Sequence, residues 1–220
     1  MNYNELRYIY PPRPESKINP ANISLYDTQE YVAQPKYNGS CSVVFMKENF
    51  VTISNRHNEE KTKTDNIDFA SCYRGSGWLV LAGELMDKSK IGEDGSKLTG
   101  FIIWDILVYE SNYLIGSTLY ERLMLLERLY PSRRQMFIGG SGILEVKHLQ
   151  STDHAGIYKA ATYFGGQSYF KELYRDIVKT DVYEGLVMKK LLSKLEFGWQ
   201  SSNNTGWQIK ARKPTKNYKI

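Results

Sequence analysis

Five short stretches of this 220-residue chain set charged or aromatic side chains into an apolar, strand-like frame, and that pattern limits the fold more than any other feature. They are Gln34-Pro35-Lys36-Tyr37-Asn38-Gly39-Ser40, Ser54-Asn55-Arg56-His57, Ala82-Gly83-Glu84-Leu85, Ile103-Trp104-Asp105 and Glu184-Gly185-Leu186-Val187-Met188-Lys189. A basic stretch, Trp207-Gln208-Ile209-Lys210-Ala211-Arg212, follows them. Charged groups are kept out of strand interiors unless they are paired or used. Several in series therefore call for strands whose ends converge on one polar cleft.

Lys36 is the chemically sharpest of these residues. Tyr31-Val32-Ala33 before it and Cys41-Ser42-Val43-Val44-Phe45 after it read as strands, so its side chain does not sit on a freely solvated face. A partly desolvated lysine near other cations loses its proton more readily and becomes a nucleophile. The plainer reading of Lys-x-Asn-Gly is a hairpin turn, because Asn-Gly is the strongest short hairpin signal. Glu84 has its own plain reading as a surface carboxylate at a strand end, and Trp104 as a core aromatic in an apolar strand. His57, His148 and His154 have no metal-ligand spacing, and Asp65, Asp87 and Asp94 read as loop residues.

Composition narrows the classes. Hydrophobic residues at 41% and charged residues at 24% suit a water-soluble globular domain with a sizeable core. Two cysteines supply neither a disulfide framework nor a cysteine zinc site, which points to a reducing compartment. There is no signal-like start and no apolar run of membrane-spanning length, so a cytoplasmic, membrane-free location is expected. Net charge is +5, and from Trp207 onward Lys210, Arg212, Lys213, Lys216 and Lys219 occur without an acidic residue. Such a basic segment is either a solvated tail or a polyanion contact.

Pro11, Pro12, Pro14 and Pro20 make residues 1–30 an extended arm laid over a domain at 31–220. Two or three strands fill 31–54, a loop with a short helical piece follows in 56–76, and two buried strands at 78–85 and 101–108 are joined by the polar segment 87–100. Leu119, Leu123, Leu126 and Tyr130 recur at helical spacing before Pro131. A strand at 143–148 and one or two helices in 153–179, with Tyr169, Phe170, Leu173, Tyr174 and Ile177 inward, precede two closing strands at 185–190 and 207–212. The sum is a strand-dominated α+β domain.

Taken in order, from lysine motif to paired basic strand, the six stretches resemble the covalent nucleotidyltransferase superfamily of ATP-dependent DNA ligases, RNA ligases and mRNA capping enzymes, over residues 31–213. The resemblance implies a nucleotidyltransferase fold, an ATP-grasp-like ligase adenylation fold of antiparallel sheets with flanking helices. It implies ATP and Mg²⁺ (or Mn²⁺) as cofactors. Lys36 would attack the α-phosphorus of the nucleotide and carry it as a phosphoramidate. Gln34 would join the nucleotide-binding set, Glu84 would hold the ribose hydroxyls and Trp104 would stack on the base. Glu184 would bind the metal, while Lys189, Lys210 and Arg212 would hold phosphates. By motif register Lys189, rather than Lys190, faces inward. Arg56 would position the sugar or a strand phosphate, and Asp105 would be structural or a metal-side helper. The partners implied are RNA or DNA ends or nicks, with Lys213, Lys216 and Lys219 on the strand backbone.

Departures from the family pattern sharpen the expectation. Asn38 replaces the aspartate usual in Lys-x-Asp-Gly, which removes a negative charge beside Lys36. Ser40 follows the glycine as in many RNA ligases, and Cys41 stands where DNA ligases carry arginine, favouring RNA or mixed substrates. Arg212 replaces the usual lysine and keeps the charge. With few residues after Arg212, the C-terminal OB barrel is expected to be missing. A monomeric, phage-like minimal ligase acting in a host cytoplasm, alone or with a protein partner in place of the barrel, is the reading. A capping-type guanylyltransferase and a non-catalytic module binding nucleic-acid ends are the alternatives.

Overall fold

A computed structural model of the chain describes residues 6–61, 67–91, 97–131, 149–152, 154, 156–166, 169–198 and 202–214. Its elements in chain order are β1 (Arg13–Lys17), β2 (Tyr31–Tyr37), β3 (Ser40–Lys47), β4 (Phe50–Asn55), β5 (Leu79–Ile91), β6 (Lys97–Tyr109), β7 (Asn112–Tyr113), α1 (Leu119–Leu129), β8 (Leu149–Ser151), β9 (Ile157–Ala160), β10 (Tyr163–Phe164), α2 (Phe170–Ile177), β11 (Tyr183–Lys190) and β12 (Asn204–Arg212). They build a five-stranded sheet in the order β1-β12-β11-β2-β10 and a second sheet in the order β4-β3-β5-β6-β9-β8, with β7 also on β6. Pairing is antiparallel except for β1 with β12 and β6 with β9, which are parallel.

Asn38-Gly39 does not close a hairpin. It carries the chain from β2 in one sheet to β3 in the other, at the place where the sheets meet. The Asn38 backbone N–H and Nδ2 donate to the carbonyls of Val182 (2.8 Å) and Asp181 (3.1 Å), which pins this crossing to the start of β11. A Cβ on Gly39 would lie 2.6 Å from the Leu85 carbonyl oxygen, so only glycine passes here. Pro35 is tolerated inside β2 because β10 pairs only with Val32 and Ala33, so among the described residues Pro35 has no ladder partner in β10.

The larger sheet is buried on both faces, which is why β3 and β6 read as near-continuous apolar runs. Val44, Leu81, Ile103 and Ile106 pack on one face beneath Leu126 of α1, and Val43, Val80 and Leu107 pack on the other against Ile9 and Leu195. α1 starts in a capping box, with Thr118 and Glu121 bonding reciprocally. α2 lays Phe170, Leu173, Tyr174 and Ile177 on the smaller sheet, the inward set that the helical spacing predicts.

Of the one or two helices expected in 153–179, α2 is the one found among the described residues, and 157–164 hold β9 and β10. The pairing partners that decide this lie elsewhere, since β9 takes its parallel register from Phe101–Ile103 and Lys159 ion-pairs with Glu127 of α1. The polar connector expected at 87–100 is largely strand, with β5 running to Ile91 and β6 starting at Lys97. The strand expected at 143–148 lies outside the described residues.

Candidate active site

The junction of the two sheets holds a cleft of about 410 Å³. Because side chains alternate along a strand, residues two apart share the cleft face. The smaller sheet thus contributes Gln34 and Lys36 from β2, Val187 and Lys189 from β11, and Gln208, Lys210 and Arg212 from β12. The larger sheet contributes Cys41, Glu84 and Trp104 from β3, β5 and β6, and Arg56 from just beyond β4. Every nucleotide- and metal-binding position expected from the sequence lines this one cavity.

Cross-strand register sets the rows. Lys36 lies opposite Gly185, which lies opposite Arg212, and Gln34, Val187 and Lys210 form the next row. Gly185 adopts φ +144°, and a Cβ there would lie 2.0 Å from the Ala211 carbonyl oxygen, so the bare position brings β12 close. Tyr183 pairs with Tyr37 and Gly185 with Lys36, leaving Glu184 as the extra residue of a bulge. The bulge turns its carboxylate into the cleft, where Oε2 is 2.6 Å from Lys36 Nζ and 3.2 Å from an Arg212 nitrogen. Glu184 thus pairs with both Lys36 and Arg212.

Glu84 is partly buried and accepts a 3.1 Å hydrogen bond from the Gly39 N–H. Burial pushes its carboxyl up to about 7, opposed by Lys36 and assisted by Glu184. Lys189 is 4% exposed, whereas Lys190 is exposed. Its Nζ lies 4.7 Å from the Trp104 ring centroid, and burial brings its ammonium down to about 8, with Asp105 pulling the other way. Trp104 is only partly buried and bridges two apolar clusters, so one face meets Lys189. Burial, and then Arg212 and Lys36, lower the Lys210 ammonium, which donates to the Pro14 carbonyl at 3.0 Å. Burial pushes the Cys41 thiol up to about 12, so it is held as the neutral thiol.

Several functional candidates carry weak signals in the sequence. Arg13, on the arm, lines the cleft through the pairing of β1 with β12. His57, read as incidental, accepts the Arg56 Nε–H at 2.9 Å and so orients it. Both oxygens of Asp105 accept from Arg122 of α1, at 2.8 and 3.0 Å, and both residues are buried. Lys213 Nζ is tied to the Thr180 carbonyl and Asp181 outside the cleft. Lys216, Lys219 and His148 lie outside the described residues, and His154 binds Arg74 and Ser71 on a different face.

The raised Glu84 carboxyl has a pH signature. In the unfolded chain it ionises near 4.5, and in the fold near 7, so between those values the folded protein holds the extra proton. Stability should therefore fall as pH rises through this window and level off above it. Glu84→Gln should flatten that slope, measured as urea midpoints from pH 4.5 to 8. An unchanged slope would place the proton elsewhere.

No protein-family model and no curated protein sequence matches the chain. Solved structures do. A mycobacterial DNA ligase D complexed with ATP and MES superposes with a TM-score of 0.60 at 13% identity, over 96% of this chain and 62% of that one. The ligase domain of M. tuberculosis LigD gives 0.58 at 13% identity, over 96% and 61%. A Lig E DNA ligase, described as binding DNA with a minimal scaffold, gives 0.52 at 15%, over 94% and 69%. The chain thus spans about six-tenths of the length of the first two. The two sheets have the fold of these DNA ligase structures.

Proposed function

We propose that the protein is an ATP-dependent polynucleotide ligase that works through a lysyl-AMP. The observation that supports this best is the cleft itself: in a DNA ligase fold, Lys36 shares it with five further cations (Arg13, Arg56, Lys189, Lys210 and Arg212) against three carboxylates (Glu15, Glu84 and Glu184). Such an excess suits a ligand carrying several negative charges, and phosphoryl transfer is accelerated chiefly by positioning and charge cancellation. Lys36 Nζ, freed from Glu184 and deprotonated, attacks the α-phosphorus. The N–P bond forms, the bond to pyrophosphate breaks, and pyrophosphate leaves with its electron pair. An oxygen of a 5′-phosphate then attacks the same phosphorus, the N–P bond breaks and Lys36 takes back a proton. Finally a 3′-hydroxyl attacks the activated 5′-phosphorus, loses its proton and expels AMP.

The purine would stack on Trp104, which lines the cleft together with Val187, a contact of about 1–3 kcal/mol by analogy with base stacking on aromatics. Gln34 Nε2 donates to Thr162 at 2.9 Å, which leaves its buried Oε1 without a partner among the described residues. An open acceptor there suits the exocyclic amine of adenine and repels the carbonyl of guanine, so it favours ATP over the capping alternative. Among the described residues no three metal-ligating side chains cluster. One or two carboxylates with substrate phosphates are what Mg²⁺ ordinarily takes, and Glu184 with Glu84 fit that set. When bound, the metal supplies cancellation of triphosphate charge.

The test is incubation with Mg²⁺ and α-labelled ATP or GTP, followed by a denaturing gel. Label from ATP that survives denaturation is the expected result. Label from GTP instead would replace this reading with capping, and none from either would leave a module that binds nucleic-acid ends. With ATP label in hand, joining of DNA, RNA and mixed nicks decides the strand type. Ser40 and Cys41 favour RNA or mixed strands, although the matched structures are DNA ligases.

A further inference from the structure

The charge in the cleft is unevenly balanced. Glu184 neutralises Lys36 and Arg212. Arg13 and Arg56 line the same cavity, and neither pairs with a carboxylate among the described residues, Glu15 included. Arg13 is built in rather than draped over the surface. Its backbone N–H donates to the Asn203 carbonyl at 2.8 Å, and its own carbonyl accepts from Thr205 Oγ1 at 3.2 Å. Its guanidinium is steered by neutral partners only, Ser202 Oγ at 3.2 Å and Asn204 Oδ1 at 3.1 Å, both through one terminal nitrogen. The remaining donors are unused among the described residues. Arg56 is oriented in the same way, by a neutral His57. Burial followed by the Arg56 charge lowers the Arg13 guanidinium, so the two cations lie close enough to oppose each other.

Two guanidiniums fixed by uncharged groups and repelling across a cavity make a receptor for a doubly charged oxyanion, since a planar guanidinium matches phosphate geometry with paired hydrogen bonds. We propose that Arg13 of the N-terminal arm joins Arg56 in a phosphate subsite of the cleft. Resting on the ligase reading, the subsite takes a phosphate from one of two sources, the 5′-phosphate of the strand to be joined or the tail of the nucleoside triphosphate.

The test compares binding of 5′-phosphorylated and 5′-hydroxyl oligonucleotides at fixed salt, with inorganic tripolyphosphate as a second probe, to wild type, Arg13→Ala and Arg13→Gln. Gln keeps a donor for Ser202 and Asn204 and removes the charge, and thermal melting checks that each variant is folded. Loss of a charge-assisted phosphate contact should cost about tenfold or more in affinity. If that loss falls on the preference for a 5′-phosphate, the strand is the source. If it falls on tripolyphosphate, the nucleotide tail is. Folded variants that bind both probes within twofold of wild type overturn the subsite. The outcome separates from the enzyme reading: wild type without lysyl-AMP but with an Arg13-dependent phosphate preference keeps the subsite and loses the ligase, and the reverse pattern does the opposite.

Discussion

Lys36→Ala should abolish covalent labelling by ATP, falling at least about a thousandfold, which corresponds to about 4 kcal/mol of barrier. The cleft has no second amine ready to take over. Lys189 is packed over Trp104, and Lys210 is spent on the Pro14 carbonyl. Lys36→Arg should fail equally, because a guanidinium stays protonated and cannot present a free electron pair. Neither change should unfold the protein, since Glu184 keeps Arg212 as a partner when Lys36 is removed. Melting curves alongside the labelling gel separate loss of chemistry from loss of fold. Undiminished label in folded Lys36→Ala would shift the nucleophile to another residue, with Lys189 the first to replace.

The largest expected effect on stability comes from a residue outside the cleft. Arg122→Ala would leave the Asp105 carboxylate buried with only the Ile106 N–H at 2.9 Å, and would also remove one of the two donors to the Ser117 carbonyl, which keeps the Leu195 N–H at 2.9 Å. Removing one partner of such a buried pair costs about 3–5 kcal/mol, a large part of the about 5–15 kcal/mol that a domain has in total. Urea unfolding should show a midpoint far below wild type. Replacing both members with apolar residues, as in Asp105→Leu with Arg122→Met, should restore much of the loss, because no charge is then stranded. A single variant no worse than that double one would mean that water reaches Asp105.

What the sequence made legible were the residues whose neighbours along the chain reveal their strand. Lys36, Glu84 and Lys189 sit in apolar frames with period two, and that alternation already places them on one face. The choice of Lys189 over Lys190 follows from the same period, and the two residues differ in burial as it requires. Residues whose setting depends on distant partners stayed hidden. Arg13 lies in a proline-rich arm that looks like a loose extension until β12 is beside it. Arg122 reads as a solvated charge on α1, since nothing local announces a carboxylate at Asp105. Residues 157–164 have no turn signal that separates two short strands from a helix, and their pairing with β6 and β2 settles the matter.

The pairing of β1 with β12 also bears on when the protein can act. Arg13 and Asn204 are 191 residues apart, yet they are neighbours. As the ribosome extends the chain, β1 waits through the synthesis of the intervening residues for the strand that fixes it. Closing so long a loop adds little entropy beyond that of a moderate one, but contacts this distant in sequence form late. Lys36 is translated well before the β12 wall that carries Lys210 and Arg212. On the proposed function, a chain not yet extended through β12 holds Lys36 without the two cations of that wall.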